Sequence, residues 1–302
     1  MILVTGGSGY IGSHIINLLN SKRYKTVVLD ICKNEDIKPT IFYSGDIRNK
    51  TDLKNLFESY NIDLVIHCAA KKDVSESILN PMDYYHTNVE GTRLLLETMK
   101  ENNVDKIIFS STAAMYNDGI SKETDIPNPK TPYASSKLTC EDMIRYSGLK
   151  YVIFRFFNVA GHDKKGVMLI QRIKQHEKIT IYGNDYDTRD GTCIRDYIHV
   201  EDIANAHIKA IEYLETNEKG LFNLGTNNGY TIKEICDKAN IQYEIGKRRE
   251  SDVIISIADN TKAKEILGWK PEKTLEDILK EEQYDSKWCF WTHNEFNRWK
   301  VR

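Results

Sequence analysis

Tyr133 and Lys137 stand four residues apart in the stretch TPYASSKLTCEDMI. On a helix that spacing puts both side chains on one face, and Pro132 suits a helix's first turn. A free tyrosine titrates near pH 10, so its phenolate at pH 7 costs about 4 kcal/mol. A neighbouring ammonium lowers that cost. A phenolate poised this way can take a proton from a carbinol hydroxyl while hydride leaves the same carbon. The spacing recurs on ordinary helices, where it describes a surface tyrosine beside a solvated lysine. A second stretch, FSSTAAMY, reads as a strand running into a hydroxyl, Thr112, followed by Ala113 and Ala114. A hydroxyl at a strand end can share in chemistry, or it can only cap a turn.

Hydride chemistry needs an acceptor, and VTGGSGYIGSHI supplies a place for one. Gly7, Gly9 and Gly12 match the dinucleotide fingerprint, and Gly6, Gly9 and Gly12 match the spacing of short-chain dehydrogenases. The glycines serve a tight turn, backbone approach to a pyrophosphate and close helix–strand packing. The following helix N-terminus adds unpaired N–H donors and a favourable dipole. Asp30 lies 18 positions beyond Gly12, at the end of the second strand pattern. A carboxylate there accepts from an adenosine ribose diol and repels a 2′-phosphate, which favours NAD over NADP.

These residues need a scaffold, and the apolar pattern describes one. Runs of β-branched residues near 2–5, 26–30, 40–43, 64–68, 106–110 and 151–155 lack alternation, as strands buried on both faces do. Helical patterns lie between them near 11–21, 50–59, 82–103 and 133–147. The order predicts an α/β fold with a doubly wound parallel sheet of the Rossmann type. Only about ten residues separate the second and third strands, which predicts a loop or a very short helix there. After residue 160 the rhythm breaks. The stretch 161–191 reads as polar loop around one strand at 178–182, followed by a helix near 200–215 and a strand at 221–224. Short helices near 231–239, 261–267 and 274–285 and a strand near 241–245 complete the chain. This predicts a Rossmann domain over 1–160 to which 192–225 returns, and a smaller, sequence-discontinuous lobe from 161–191 and 226–302. The tail carries Trp288, Trp291 and Trp299, which either pack on the body or serve an aromatic partner site.

Composition narrows the function classes. The chain has 302 residues, 40% hydrophobic, enough for a sizeable core. A net charge of −2 gives no footprint for nucleic acid. The six cysteines form no C-x-x-C pair and show no zinc spacing, so no metal is expected, and reduced thiols suit a cytoplasmic protein. A strand pattern that begins at Ile2 leaves no room for a signal peptide, and no apolar run reaches membrane-spanning length, so no membrane partner is expected.

Taken in order, VTGGSGYIGSH, GDIRN, DLVIHCAA, NVEGT, FSS, PYASSK, FRFFNVAG, the segment from YGNDYDTRDGT to RDYIHV, FNLG and LGW resemble the extended short-chain dehydrogenases, above all the UDP-hexose 4-epimerases. The resemblance spans nearly the whole chain. It implies that Tyr133 transfers the proton, that Lys137 supports it and holds the nicotinamide ribose, and that Thr112 bonds the reacting sugar oxygen. It implies that Gly6, Gly9, Tyr10, Ile11, Gly12 and Asp30 hold NAD, joined by Asp46, Ile47, Ala69, Ala70, Lys72 and Asn88, and by Ser110 and Phe157. For a nucleotide sugar it implies Asn158, Tyr182, Arg195, Arg249 and Asp252, the two arginines clamping a diphosphate with planar forks and Tyr182 stacking on uracil. Ser256 stands where the family gates the sugar's C2 substituent, so a small side chain there would admit UDP-GlcNAc and UDP-GalNAc. Relatives form homodimers through helices that correspond to 82–103 and 133–147. The apolar stripe Val89, Leu95, Leu96 and Met99 could serve that contact or could equally bury itself on the sheet.

Two departures stand out. The stretch from Asn158 to Asn184 is shorter than in typical epimerases, and KKGVMLIQ replaces the asparagines that usually meet the nucleotide. Related dehydratases carry an acid after the strand-end hydroxyl, where this chain has Ala113 and Ala114. Another nucleotide-sugar-modifying enzyme of the family, a reductase or a dehydratase (against which Ala113 and Ala114 argue), and a non-catalytic NAD-binding regulator remain as competing readings. His67, His199 and His14 are expected to be structural: a packed strand histidine, a structural hydrogen bond and helix-face packing.

Overall fold

In the computed structural model, which describes residues 1–161, 169–175, 178–249 and 252–281, the strand–helix alternation of the first half builds one parallel sheet. Its elements in chain order are β1 (Ile2–Thr5), α1 (Tyr10–Ser21), β2 (Thr26–Asp30), β3 (Ile41–Ser44), α2 (Lys50–Ser59), β4 (Leu64–His67), α3 (Val74–Leu79), α4 (Pro81–Tyr84), α5 (Gly91–Glu101), β5 (Lys106–Thr112), β6 (Gly119–Ser121), α6 (Pro132–Tyr146) and β7 (Lys150–Phe156). The second half contributes β8 (Asn158–Ala160), α7 (Leu169–Lys174), β9 (Ile179–Tyr182), β10 (Ile194–Arg195), β11 (Tyr197–His199), α8 (Val200–Tyr213), β12 (Lys219–Leu224), β13 (Tyr230–Thr231), α9 (Ile232–Lys238), β14 (Tyr243–Gly246), β15 (Ile255–Ala258), α10 (Thr261–Glu265) and α11 (Leu275–Lys280).

The main sheet has the order β12-β7-β5-β4-β1-β2-β3, and all its pairings are parallel. The order reverses at β1, which lies between β4 and β2, so the crevice beyond the carboxyl end of β1 is the topological switch point. Ile15, Ile16 and Leu19 of α1 and Ile203, Ala206 and Ala210 of α8 cover one face. Leu53 and Leu56 of α2, Leu95 and Met99 of α5, and Cys140 and Ile144 of α6 cover the other. The stripe Leu95, Leu96 and Met99, with Val89 against it, is therefore core of the second layer.

Where the structure departs from the sequence pattern, the causes are local. The helix expected over 82–103 is helical from Pro81 to Glu101, with a π-helical turn, Tyr85–Glu90, joining α4 to α5. Asn80, which precedes Pro81, takes φ −130° and separates this helix from α3. The link between β2 and β3 is a loop that carries the crossover between two parallel strands without a helix. The stretch 161–191 holds a helix as well as a strand: α7 buries Ile170 and Ile173. So short an element owes its form to that packing rather than to propensity.

A second sheet, β13-β10-β15-β6, joins strands of 1–160 and 192–225 to strands of 226–302; β9 pairs with β14, and Ile179 and Ile181 of β9 share a core with Ile235 of α9 and Leu275 and Ile278 of α11. Trp288, Trp291 and Trp299 lie outside the described residues. No described helix is long and apolar enough to cross a membrane.

Candidate active site

The glycine loop between β1 and α1 is made for close approach. Gly6 has φ +69°, and a Cβ there would lie 2.6 Å from the Ala69 nitrogen at the end of β4. A Cβ on Gly12 would lie 2.3 Å from the Gly6 oxygen. Gly9 caps α1 without a side-chain hydrogen bond, and no acid stands in the first turn, so the dipole end of the helix carries no built-in counter-charge. Asp30 Oδ2 accepts from the Ser8 amide at 3.0 Å, and Oδ1 accepts from the Cys32 amide at 3.2 Å, which fixes the carboxylate beside the loop. The Ser8 hydroxyl is buried with no partner among the described residues. A backbone cradle that excludes a methyl group, a held carboxylate and a buried donor without a protein partner fit a dinucleotide's phosphates and ribose.

The remaining positions expected to meet a cofactor line the next strand ends. Ala69 and Ala70 follow β4, and the Ala69 amide donates to Thr5 Oγ1 at 3.4 Å. Lys72 lies with its Nζ 5.8 Å from the Tyr10 ring centroid. Asp46 is chelated by Arg48, whose Nη2 donates at 2.6 Å. Burial opposes the charge on Asp46, but the Arg48 hydrogen bonds outweigh it and hold the carboxyl below its usual range. Ile47 is buried with the α5 layer. Asn88 is consumed by the protein: it accepts from the Lys71 amide at 2.8 Å and donates to the Lys71 carbonyl at 3.1 Å and to Ser136 Oγ at 2.9 Å. It braces the loop that follows β4. Phe157 is buried and stacks on Tyr116 with centroids 6.3 Å apart.

Tyr133, Lys137 and Thr112 come together. Pro132 and the Thr131 cap, which accepts from the Ala134 amide at 3.3 Å, start α6 where the sequence places it. Thr112 ends β5. Its hydroxyl accepts from the Ala114 amide at 3.1 Å, the turn-cap role, and stands beside the Tyr133 phenol. Lys137 is buried; its Nζ donates to the Ser110 carbonyl at 2.8 Å and lies 4.6 Å from the Phe109 ring centroid.

The expected acidity of the phenol is corrected here. Desolvation pushes Tyr133 upward, and the Thr112 hydrogen bond only partly offsets it. Desolvation also lowers Lys137. The ammonium is turned to a main-chain carbonyl, so in this arrangement it does not acidify the phenol. Ser110 accepts Lys137 through its carbonyl, and its hydroxyl lies 3.2 Å from Cys68 Sγ, a thiol that burial raises to about 11.

The sugar-side residues fall into two groups. Asn158, Arg195 and Ser256 are neighbours: Asn158 Nδ2 donates to the Asp196 carbonyl at 3.1 Å, and Arg195 and Ser256 are register partners. Arg195 Nη1 donates to the carbonyls of Ile194 at 2.9 Å and Ile254 at 3.3 Å. Tyr182 and Arg249 form the second group. The guanidinium carbon lies 3.5 Å from the ring centroid, so Arg249 covers the tyrosine face expected to stack on a base. The Asp252 amide donates to the Arg249 carbonyl at 3.3 Å.

The three histidines are structural. Thr92 donates its hydroxyl to the Asn88 carbonyl at 2.6 Å, so it must accept from His67 Nε2–H; His67 Nδ1 then accepts from Thr5. Burial pushes His67 down to about 3. His199 caps α8 and meets Glu281 Oε1 at 2.6 Å. His14 packs edge-on to Tyr10.

Sequence reasoning missed Ser8 and Asn34, whose Nδ2 donates to the Ser8 carbonyl at 3.3 Å; an asparagine in a polar loop carries no periodic signal. It also missed Glu141, although the four-residue step from Tyr133 to Lys137 repeats once more to reach it.

Residues 2–225 match the NAD dependent epimerase/dehydratase family. The chain is 41% identical to a UDP-glucose 4-epimerase of Halalkalibacterium halodurans, with 90% of each chain covered. A crystal structure of UDP-glucose 4-epimerase from Brucella ovis in complex with NAD superposes with a TM-score of 0.86 at 34% identity, covering 93% of this chain and 96% of that one. The UDP-Glc/GlcNAc 4-epimerase of Campylobacter jejuni does so with a TM-score of 0.81 at 36% identity, covering 92% and 96%.

Proposed function

The chain belongs to the NAD dependent epimerase/dehydratase family, and from that premise we propose that it is an isomerase, a UDP-glucose 4-epimerase with NAD as bound cofactor. The observation that carries the reading is the meeting of Tyr133, Thr112 and Lys137 at the carboxyl edge of the parallel sheet, two strands from the glycine cradle. When bound, NAD supplies a hydride acceptor that later gives the hydride back, so no net redox change is required. Gly6, Gly9, Gly12 and Asp30 would hold its phosphates and adenosine ribose, and Lys137 its nicotinamide ribose.

Tyr133 takes the proton from the sugar's C4 hydroxyl and later returns it. Thr112, beside the phenol, would fix the line between that hydroxyl and the base. Desolvation raises the phenol here, and a positive charge bound beside it would lower it again. Ala113 and Ala114 offer no second acid or base on the turn after Thr112, so a 4-ketose held there has no eliminating partner. It can turn over and be reduced on its other face. Arg195 and Arg249 are suited to a diphosphate, Arg249 leaving the Tyr182 ring as a base arrives.

Ser256, which stands at the C2 gate in this reading, carries a small side chain. N-acetylated UDP-hexoses are therefore included among the substrates, and the similar Campylobacter jejuni protein is a UDP-Glc/GlcNAc 4-epimerase. The reading extends to a cytoplasmic homodimer and to a division between a cofactor domain (1–160 with 192–225) and a nucleotide-sugar lobe. Incubation with UDP-galactose, UDP-glucose, UDP-GlcNAc and UDP-GalNAc, with products identified by NMR, tests substrate and reaction together. Tyr133→Phe should cut turnover about 10²- to 10⁴-fold while NAD stays bound. A near-normal rate would remove Tyr133 from the mechanism.

A further inference from the structure

Arg155 is the largest fully buried side chain of the described residues, 1% exposed, and it pairs with Glu141, which is 0% exposed. A charge pair in the core is costly to desolvate, and an apolar pair of similar volume is often as stable. Glu141 is fully engaged. Its Oε1 accepts from Ser111 Oγ at 2.6 Å and from Arg155 Nε at 3.0 Å. Its Oε2 accepts from Arg155 Nη2 at 2.7 Å and from Arg145 Nη2 at 2.9 Å. Arg155 Nη1 goes on to the Tyr116 hydroxyl at 2.7 Å, which donates to Asn223 Oδ1 at 2.8 Å.

The route of this network matters. Tyr133, Lys137 and Glu141 follow at four-residue steps along α6. Three consecutive residues of β5 answer them: Thr112 stands beside Tyr133, the Ser110 carbonyl takes Lys137, and Ser111 takes Glu141. Arg155 stands on β7 in register with Ser111, and Tyr116 closes the short turn that Thr112 begins. The network thus clamps the helix that carries the base to the strand and turn that carry its hydroxyl partner. We propose that Glu141, held by Arg155, is a positioning residue that sets the register of α6 on β5 and so the Tyr133–Thr112–Lys137 geometry. It touches no reacting atom; it acts through the placement of Tyr133 and Lys137. A slip of about 1 Å at a reacting pair can cost about a hundredfold in rate.

The inference rests on the epimerase reading, and its test separates the two. Glu141→Gln keeps the shape but breaks the fork with Arg155. The expected result is a kcat at least about tenfold lower, a KM for UDP-galactose within about twofold, full NAD content and a displaced acid limb of the kcat–pH profile. A role in stability alone would lower the unfolding temperature and leave kcat and the pH limb unchanged, and that result overturns the proposal. Should Glu141→Gln not fold, Ser111→Ala and Tyr116→Phe, which leave no uncompensated charge, should each lower kcat about two- to fivefold; wild-type kcat in both overturns it. Absence of turnover in the wild-type protein would refute the epimerase reading instead. The clamp is then read from the ultraviolet titration of Tyr133, taken as the difference from Tyr133→Phe. A midpoint moved by Glu141→Gln supports the clamp, and an unmoved one overturns it.

Discussion

Gly12→Ala separates two physical effects of opposite sign. Gly12 is the third residue of α1, and in an exposed helix interior alanine is favoured over glycine by about 1 kcal/mol. Here the added Cβ would stand 2.3 Å from the Gly6 oxygen and 2.8 Å from the Gly7 Cα, and ordinary contact begins at 3.4 Å. Both neighbours are backbone, so the loop and the helix must part by about 1 Å at the point where phosphates would sit. Overpacking of this kind costs about 1–3 kcal/mol, which cancels or exceeds the propensity gain. A hydrogen bond to a charged group is worth about 1.5–3 kcal/mol, so losing one amide contact to a phosphate weakens NAD binding about 10- to 100-fold. Gly9→Ala is the control, because its Cβ meets only the Gly6 oxygen, at 3.2 Å. NAD released per purified chain and the midpoint of thermal unfolding are the two readouts. Gly12→Ala should lower both, whereas Gly9→Ala should lower bound NAD with little change in the midpoint. A Gly12→Ala protein that unfolds at higher temperature and keeps its full NAD would refute the close-packing argument.

Thr112→Val removes both the bond to Tyr133 and the cap on Ala114, so kcat should fall at least about tenfold, while Thr112→Ser, which keeps the hydroxyl, should retain most of it; equal loss in both would place the effect in packing. His207 is buried with Nε2 unpartnered among the described residues, and burial pushes it down to about 4. Its folded value lies below the unfolded 6.5, so the unfolded chain takes the proton first, and stability present above pH 6.5 is lost as pH falls toward 4, by about 1.4 kcal/mol per unit. Urea unfolding at pH 7 and pH 5 should show a shallower loss for His207→Leu than for the wild type, and equal slopes would contradict the assignment.

The local sequence determined the parts whose information is local. Glycine spacing, the Pro132 start of α6 and unbroken apolar strands are read within a few residues, because turn geometry, helix nucleation and burial on two faces each act over that range. The parallel sheet, the glycine cradle beside Asp30 and the one-face placement of Tyr133 and Lys137 follow from them. Contacts between distant segments were decided only in three dimensions. The π-helical turn within the 82–103 helix packs beside α6, and α7 forms because Ile170 and Ile173 find a core. The direction in which Lys137 points, toward the Ser110 carbonyl rather than the phenol, and the covering of Tyr182 by Arg249 depend on side chains that residue spacing cannot orient. Acidity is tertiary for the same reason: a phenol's pKa is set by which charges and how much water surround it, and the chain order names the candidates without saying which of them arrive.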